Sequence, residues 1–385
     1  MSDSNLTERD LRAALAELLA EMDTESVEND LDPLTPSEAV EKYFEARDGE
    51  LGTSTVNSHK SSLGFFIRWC EMLDIENVND LTGKTLHNYR VWRREEAPVT
   101  VNRLAKKSEK TQQDILRKFI ETLEGLDAVT TGLHEKVQSP TLKEGEDVRD
   151  EMLATDAARG IMDWLSKYEY ASADHVVWTL LTSTGMRTGA LHSLDVDDFH
   201  GDRDDPYLDL HHRPKTGTEL KNDERSERKV SIPPETATVI EDYLEDVRPD
   251  VTDDYGRRPL LASTHGRLAT STIRIYVYKW TRPCKYLGSC PHDRNPDGPG
   301  GCVAAGRACD ASKCPSSLSG HPVRRGYITQ ELRSEVPMAV VSARCDVSED
   351  VIEKHYDRRT SEEKMQARKK LMELAHSVKP GYAQA

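Results

Sequence analysis

The sequence contains no apolar run that approaches the length of a bilayer span, and its first residues, Met1 to Asn5, lack the basic and apolar regions of a secretory signal. We therefore expect a cytoplasmic protein without membrane contact. It also lacks a glycine-rich phosphate loop of the Walker type and a carboxylate cluster suited to two magnesium ions, so chemistry driven by ATP or a metal pair is not expected. The seven cysteines, without a secretory signal, argue against a disulfide scaffold.

Acidic residues outnumber basic ones, and the formal net charge is -16. This charge disfavours a polyanionic partner, because nucleic acid is bound by neutralising its phosphates. The acidity is spread along the whole chain, however, and the mean hydropathy is -0.68, which is typical of a surface adapted to concentrated salt. At 1 M salt the Debye length falls to roughly 3 Å, so local basic clusters decide binding there.

A chain of 385 residues is too long for one ordinary core, so two domains with tails are expected. Acidic residues around one short apolar pattern predict a mobile arm in residues 1–33. Four amphipathic helix patterns predict an all-α domain in residues 34–128, followed by a linker in residues 129–148. A longer domain in residues 149–375 and a tail in residues 376–385 complete the chain.

The longer domain mixes helix patterns with two predicted strands. Alternating apolar residues in 207–210 and 229–232 predict a β-hairpin that carries Lys215. Further helices are predicted in residues 234–247, 271–280, 322–332, 337–344 and 348–355. The expected fold class is therefore mainly α with a small β-hairpin or sheet, an all-α domain followed by an α+β domain.

Two separated motifs supply groups suited to phosphodiester chemistry. Arg187 lies in the string Thr184 to Leu191, and Arg324 follows His321 by three residues at a predicted helix start. Two guanidinium groups can hold the non-bridging oxygens of a phosphate under attack with charge-assisted hydrogen bonds. An ion pair or a buried structural histidine is the alternative for each residue taken alone.

The nucleophile and the proton donor are assigned from position. Tyr356 follows the predicted helix 348–355, and because a phenol ionises only near pH 10, it requires activation by a cationic pocket. Lys215, at the hairpin tip, could protonate the departing oxygen as a general acid, with Lys221 as a rival. A solvated surface lysine is the alternative.

Together these motifs resemble the tyrosine recombinases of the phage-integrase family over about residues 36–360. The resemblance implies an all-α core-binding domain and a catalytic domain of the DNA-breaking-rejoining fold, which close around double-stranded DNA as a clamp. It implies site-specific recombination without metal or ATP, through a 3′-phosphotyrosine on Tyr356. A homotetramer, with a dimer on each site, is expected, and the helix in residues 361–377 packs either on a neighbouring subunit or within its own.

The chain departs from the family pattern in two places. Ala190 occupies the position of a common acidic residue, and the segment Ser342 to Asp346 replaces the usual Leu-Gly-His. Arg344 or His355 could supply the missing hydrogen-bond donor. A DNA-binding regulator that has lost cleavage and a relaxing enzyme of the type IB topoisomerase kind therefore remain alternative functions.

Basic residues cluster where a DNA clamp needs phosphate contacts. Each one alone could be a solvated surface charge, but the group favours DNA. The predicted contacts are Arg103, Lys106, Lys107, Lys110, Arg117, Lys118 and Arg213.

Five cysteines lie in the insertion of residues 282–316, where several prolines and glycines disfavour helix or strand. A long loop without an apolar core needs a stabilising link, and zinc held by four thiolates supplies one. Cys309 or His292 could replace one ligand, and free thiols in a loop are the alternative. The predicted ligands are Cys284, Cys290, Cys302 and Cys314.

Overall fold

The structure is a computed structural model that describes residues 31–97, 103–143, 146, 151–201, 204–295, 301–357 and 359–378. These residues form two compact units, divided between Arg149 and Asp150. None of the helices in the described ranges is long and apolar enough to cross a membrane. The predicted arm lies outside the described residues except for residues 31–33, and the tail except for residues 376–378.

The first unit is helical. Thr35 begins its first helix with a capping box, in which the Thr35 hydroxyl and the Glu38 carboxylate each accept from the other's backbone N–H. A similar reciprocal cap between Thr82 and Thr85 begins the third helix. The helices are α1 (Pro36–Ala46), α2 (Thr53–Met72), α3 (Gly83–Glu95) and α4 (Lys106–Glu124), with 3₁₀ turns at Val78–Asp80 and Leu133–Lys136.

Aromatic side chains fill the centre of this unit. The rings of Phe66 and Phe119 meet edge to face with centroids 5.5 Å apart, as do those of Phe66 and Tyr89. Leu133 and Val137 are buried in the same core, so part of the stretch expected to be a linker belongs to this unit. Apolar residues hold this stretch in the core. The Thr, Gly and acidic residues around them made the stretch resemble a linker in the sequence.

The second unit is mainly helical and carries a small antiparallel sheet. Its helices are α5 (Thr155–Tyr168), α6 (Ala173–Thr184), α7 (Thr188–Ser193), α8 (Pro234–Asp242), α9 (Thr270–Trp280), α10 (Pro283–Tyr286), α11 (Val303–Gly306), α12 (Gly320–Arg333), α13 (Met338–Cys345), α14 (Glu349–His355) and α15 (Ser361–Val378). A π-helical turn, Tyr243–Val247, continues α8. Helix α6 is buried on nearly every side and lies at the centre of the core. The predicted fold class is confirmed.

The predicted hairpin is present, with an added edge strand. Strands β1 (Phe199–His200), β2 (Tyr207–Leu210) and β3 (Arg228–Ser231) form one sheet in the order β1-β2-β3. Leu208 pairs with Val230, and both side chains are buried, so their apolar faces set the register. A second ribbon joins β4 (Ala262–Ser263) to β5 (Gly266–Arg267).

The cysteine insertion is more ordered than its composition predicted. Helices α10 and α11 and a 3₁₀ helix, Ala308–Lys313, form within it, so the expectation that helix is disfavoured there was wrong. Ala304 and Ala311 are fully buried, and the buried Arg282 guanidinium donates to the Ala304 carbonyl. Small side chains and one internal arginine therefore build a local core without large apolar residues.

Candidate active site

Arg187 is positioned by a helix end that requires glycine. Helix α6 ends at Gly185, whose φ of 60° is in the left-handed region. A Cβ atom there would lie 2.2 Å from the Tyr327 ring, so space as well as φ excludes larger residues. Two residues later, Arg187 is the N-cap of α7.

Arg324 is buried on α12 beside this turn. Its Nη1 donates to the Gly185 carbonyl at 2.8 Å, so the two arginine-bearing motifs are in direct contact. Its Nη2 has no hydrogen-bond acceptor among the described residues. Burial lowers the pKa of Arg324, and the charge of Arg187 lowers it further. A buried N–H group without an acceptor is costly, and a phosphate oxygen would relieve that cost.

Tyr356 lies at the C-terminal end of α14, where its side chain is buried. A small apolar cluster that includes Ile328 and Ile352 packs around it and fixes α14 against α12. The Thr329 hydroxyl donates to the Tyr356 carbonyl at 3.3 Å. The phenol is close enough to Arg324 to favour the charged guanidinium.

His321 completes this group. Its ring centroid is 6.1 Å from that of Tyr356. Although the side chain reaches solvent, partial burial and then the charges of Arg325, Arg324, Lys221 and Arg187 lower its pKa to about 4. The imidazole is therefore neutral near pH 7, and one of its ring nitrogens can accept a hydrogen bond.

The hairpin places both candidate lysines at a cleft of about 990 Å³. Lys215 lies in the 3₁₀ turn Pro214–Thr216, and Lys221 follows it along the loop. Neither ammonium group has a hydrogen bond or an ion pair with any described residue. Lys221 is one of the charges that act on His321.

Arg213, predicted to contact DNA, holds the base of this loop. Its guanidinium donates to both carboxylate oxygens of Asp198, at 2.9 and 2.6 Å, and the pKa of Arg213 is raised by this pairing. Asp195 and Arg257 join the same network. The structure therefore gives Arg213 internal partners.

Arg344, one of the two candidates for the missing donor, is also engaged internally. It donates to the Tyr327 hydroxyl at 2.8 Å and to the backbone carbonyls of Ser183 and Ser231, each at 2.9 Å. These bonds hold α13 to α6, α12 and β3. His355, the other candidate, is half-buried at the last position of α14.

Sequence reasoning missed Asp346, which lies between α13 and α14. Its carboxylate pairs with Arg187 and accepts from the Ser226 hydroxyl at 2.7 Å and from the Asn222 amide at 3.1 Å. These partners are more than 100 positions away in the chain, so no local pattern could identify them.

The cations predicted to contact DNA in the first unit mostly have acidic partners. Lys106 pairs with Glu146 at 2.5 Å, Lys110 with Asp114 at 2.7 Å, Arg117 with Asp114 at 3.3 Å, Lys118 with Glu121 at 2.8 Å, and Arg103 approaches Glu95 at 4.0 Å. Lys107 accepts a hydrogen bond from Thr111 at its backbone carbonyl.

In this structure the four predicted zinc ligands are not arranged as a metal-binding group. Among the described residues, no set of three or more His, Cys, Asp or Glu side chains is arranged to hold a metal. Cys284 is nevertheless close to two other thiols: burial raises its pKa, and the Cys290 and Cys314 charges raise it further. Cys302 is half-buried and Cys309 is exposed.

Neither a family model nor a curated protein matches the chain. Solved structures do. The Tn1549 transposon integrase in complex with transposon right end DNA has a TM-score of 0.56 at 14% identity, covering 89% of this chain and 100% of that one. XerH site-specific recombinase bound to its difH substrate has a TM-score of 0.54 at 12% identity, covering 96% and 90%.

A lambda integrase dimer bound to a core site has a TM-score of 0.52 at 14% identity, covering 94% of this chain and 85% of that one. The chain therefore has the tyrosine recombinase fold, and the resemblance inferred from its motifs is confirmed at the level of the fold.

Proposed function

We propose that this protein is a site-specific DNA recombinase that cuts and rejoins strands through a 3′-phosphotyrosyl intermediate on Tyr356. The observation that carries the proposal is the meeting of a buried phenol with Arg324, whose Nη2 lacks an acceptor, beside Arg187 and His321. Three relatives in fold are bound to DNA, which supports DNA as the partner.

In the proposed reaction the Tyr356 oxygen attacks the scissile phosphorus and loses its proton, which neutral His321 can accept. The bond between phosphorus and the 5′ oxygen breaks, and that oxygen leaves as a hydroxyl after protonation. Arg324 and Arg187 neutralise the charge that develops on the non-bridging oxygens. Because the phosphotyrosine conserves the bond energy, the reverse attack by a 5′ hydroxyl rejoins the strand.

Either hairpin lysine can protonate the leaving oxygen. Lys215 is our first assignment, and Lys221 is favoured by its charge acting on His321. A DNA substrate with sulfur in place of the bridging 5′ oxygen separates them, because a thiolate leaves without a proton. Replacing the true general acid with alanine slows cleavage of normal DNA but not of the sulfur substrate, whereas the other lysine variant shows no such selective rescue.

The test of the function uses nicked DNA. Cleavage releases a short strand that diffuses away, so the strand cannot be rejoined and the covalent intermediate accumulates. We expect a denaturation-resistant protein–DNA adduct with the wild type and none with Tyr356→Phe. Tyr255→Phe, at an exposed tyrosine, is the control and retains the adduct. DNA binding without any adduct would favour the regulator, and relaxation without recombinant joints would favour the topoisomerase-like enzyme.

The proposed assembly is a homotetramer on two DNA duplexes. The mass of the protein bound to two DNA sites measures the number of protomers. Recombination by a complex with only one protomer on each duplex would contradict the proposed tetramer. We also propose that the basic residues of the first unit named above contact the DNA phosphates.

We also propose structural zinc bound by Cys284, Cys290, Cys302 and Cys314. The influence of the Cys290 and Cys314 charges on Cys284 supports it, and zinc binding requires the four thiols to converge. Elemental analysis of the purified protein is expected to find about one zinc per chain, lost in a Cys284→Ser, Cys314→Ser double variant but kept in Cys70→Ser. Metal-free protein with unchanged thermal stability would overturn this proposal.

A further inference from the structure

Asp346 connects three segments that the proposed reaction uses. It occupies the turn between α13 and α14, ten positions before Tyr356, in a left-handed conformation with φ of 53°. Aspartate and asparagine adopt this conformation more readily than most other residues. The turn therefore fixes the position of the Asp346 carboxylate, and helix α14, which follows the turn, ends at Tyr356.

The carboxylate accepts from two other segments. One is the start of α7, through Arg187, and the other is the loop after Lys221, through Asn222 and Ser226. Arg228 strengthens the attachment by donating to the Arg344 carbonyl at 3.0 Å. Among the described residues, hydrogen bonds and ion pairs connect Arg187 to this loop through Asp346.

The contact leaves Arg187 able to bind a phosphate. A guanidinium has five donors, and only Nη1 pairs with Asp346, so the other nitrogens can face a substrate oxygen. The Arg187 side chain is 26% exposed, and that of Asp346 is 14% exposed, so the cation faces solvent more than the carboxylate does. The donors around Asp346 offset its charge, which reduces repulsion of an incoming phosphate.

We propose that Asp346 is a positioning residue that holds Arg187 and the lysine-bearing loop in register with the helix that ends at Tyr356. The inference rests on the proposed function. Asp346 does not touch the reacting atoms; it acts through Arg187 and the loop.

The experiment compares Asp346→Asn with Asp350→Asn, an exposed acid in the first turn of α14 that controls for the lost charge. Asparagine also tolerates the left-handed backbone, so the fold is retained. Single-turnover cleavage at saturating DNA is expected to fall by about tenfold in Asp346→Asn, with DNA affinity unchanged within about twofold. The loss of cleavage rate in Asp346→Asn should be smaller on DNA with an uncharged methylphosphonate at the scissile position, because Arg187 then has no phosphate charge to neutralise.

An equal loss on both substrates would overturn the role in positioning Arg187. A gain in cleavage or affinity would also overturn it, because Asp346 would then compete with phosphate for the arginine. Ser226→Ala, which removes one donor, is expected to cause a smaller loss in the same direction.

Hydrogen exchange in the free protein tests the loop without relying on activity. Backbone amides of residues 222–226 are expected to exchange about tenfold faster in Asp346→Asn and at the wild-type rate in Asp350→Asn. Unchanged exchange would overturn the inference even if the wild type cleaves DNA. If instead the wild type forms no adduct, the proposed function fails, and the exchange result still decides whether Asp346 holds the loop.

Discussion

The cations on helix α4 and those around Tyr356 differ in whether the chain already supplies their anion. On α4, Lys110 and Lys118 each contact a carboxylate three or four positions away. Near Tyr356, one nitrogen of Arg324 has no acceptor among the described residues. In the hairpin cleft, Lys215 and Lys221 have no hydrogen-bond or ion-pair partner among those residues. In so acidic a chain many surface cations pair with acids, and we expect the group of cations that lack an acid in these two places to meet an external anion.

An unpaired nitrogen is not sufficient by itself. Arg93 in the first unit is also buried with unpaired Nε and Nη1, but its guanidinium stacks 3.6 Å from the centre of the Phe65 ring. Arg68 stacks on the same ring at 4.3 Å, and the charges of Arg68 and Tyr89 act on Arg93, so two arginines and a phenol meet here as well. The site around Tyr356 differs in adding His321, whose ring lies 6.1 Å from that of the phenol.

Replacing Arg324 with lysine should have the largest effect. A lysine has no planar fork, so it cannot donate to Gly185 and to a phosphate in the same geometry. We expect single-turnover cleavage to fall by about a hundredfold or more. Arg93→Lys is the matched control, expected to lower the melting temperature without changing cleavage by the folded protein. Similar losses of cleavage in both variants would break the comparison.

Gly185→Ala should have the second-largest effect, and it should act by straining the backbone rather than by changing a charge. Alanine at φ of 60° is strained, and its Cβ would press on Tyr327, so the free energy of unfolding should fall by roughly 1–3 kcal/mol. Urea denaturation measures this. Gly189→Ala, where a Cβ meets no atom within 4 Å, should be neutral or stabilising. Equal stability of the two variants would contradict the assigned geometry.

The pH dependence at His321 is a more moderate effect. Its pKa is about 4 in the folded protein and near 6.5 unfolded, so the unfolded state binds the proton first as pH falls. Stability from this residue is present above pH 6.5 and is lost as pH falls toward about 4. The urea midpoint of His321→Gln should therefore decline less than that of the wild type across this range. Parallel curves would show that the imidazole is not held neutral.

The smallest effect is expected at Lys118. Because it is already paired with Glu121, Lys118→Gln should change the slope of log affinity for DNA against log salt by less than about 0.5. Lys221→Gln, at a lysine without a partner, should reduce the slope by about 1. If the two slopes change equally, pairing within the chain does not predict which cations meet DNA.

Local patterns were sufficient for much of this molecule. Apolar periodicity located the helices of both units and the β2–β3 hairpin, and short motifs selected Arg187, His321, Arg324 and Tyr356, which the structure brings together. Composition was misleading in the cysteine insertion, where buried alanines and Arg282 support helical turns. It was also misleading after residue 129, where Leu133 and Val137 join the core.

The order of residues by itself determined the periodic apolar faces, the helix caps and the glycine that ends α6, because each depends on neighbours within a few positions. Only the tertiary structure decided which cations are left without an acid, that Asp346 pairs with Arg187, and that Arg344 bonds to the Ser183 carbonyl. Those contacts join segments more than 100 residues apart, and their geometry is set by packing of the whole unit.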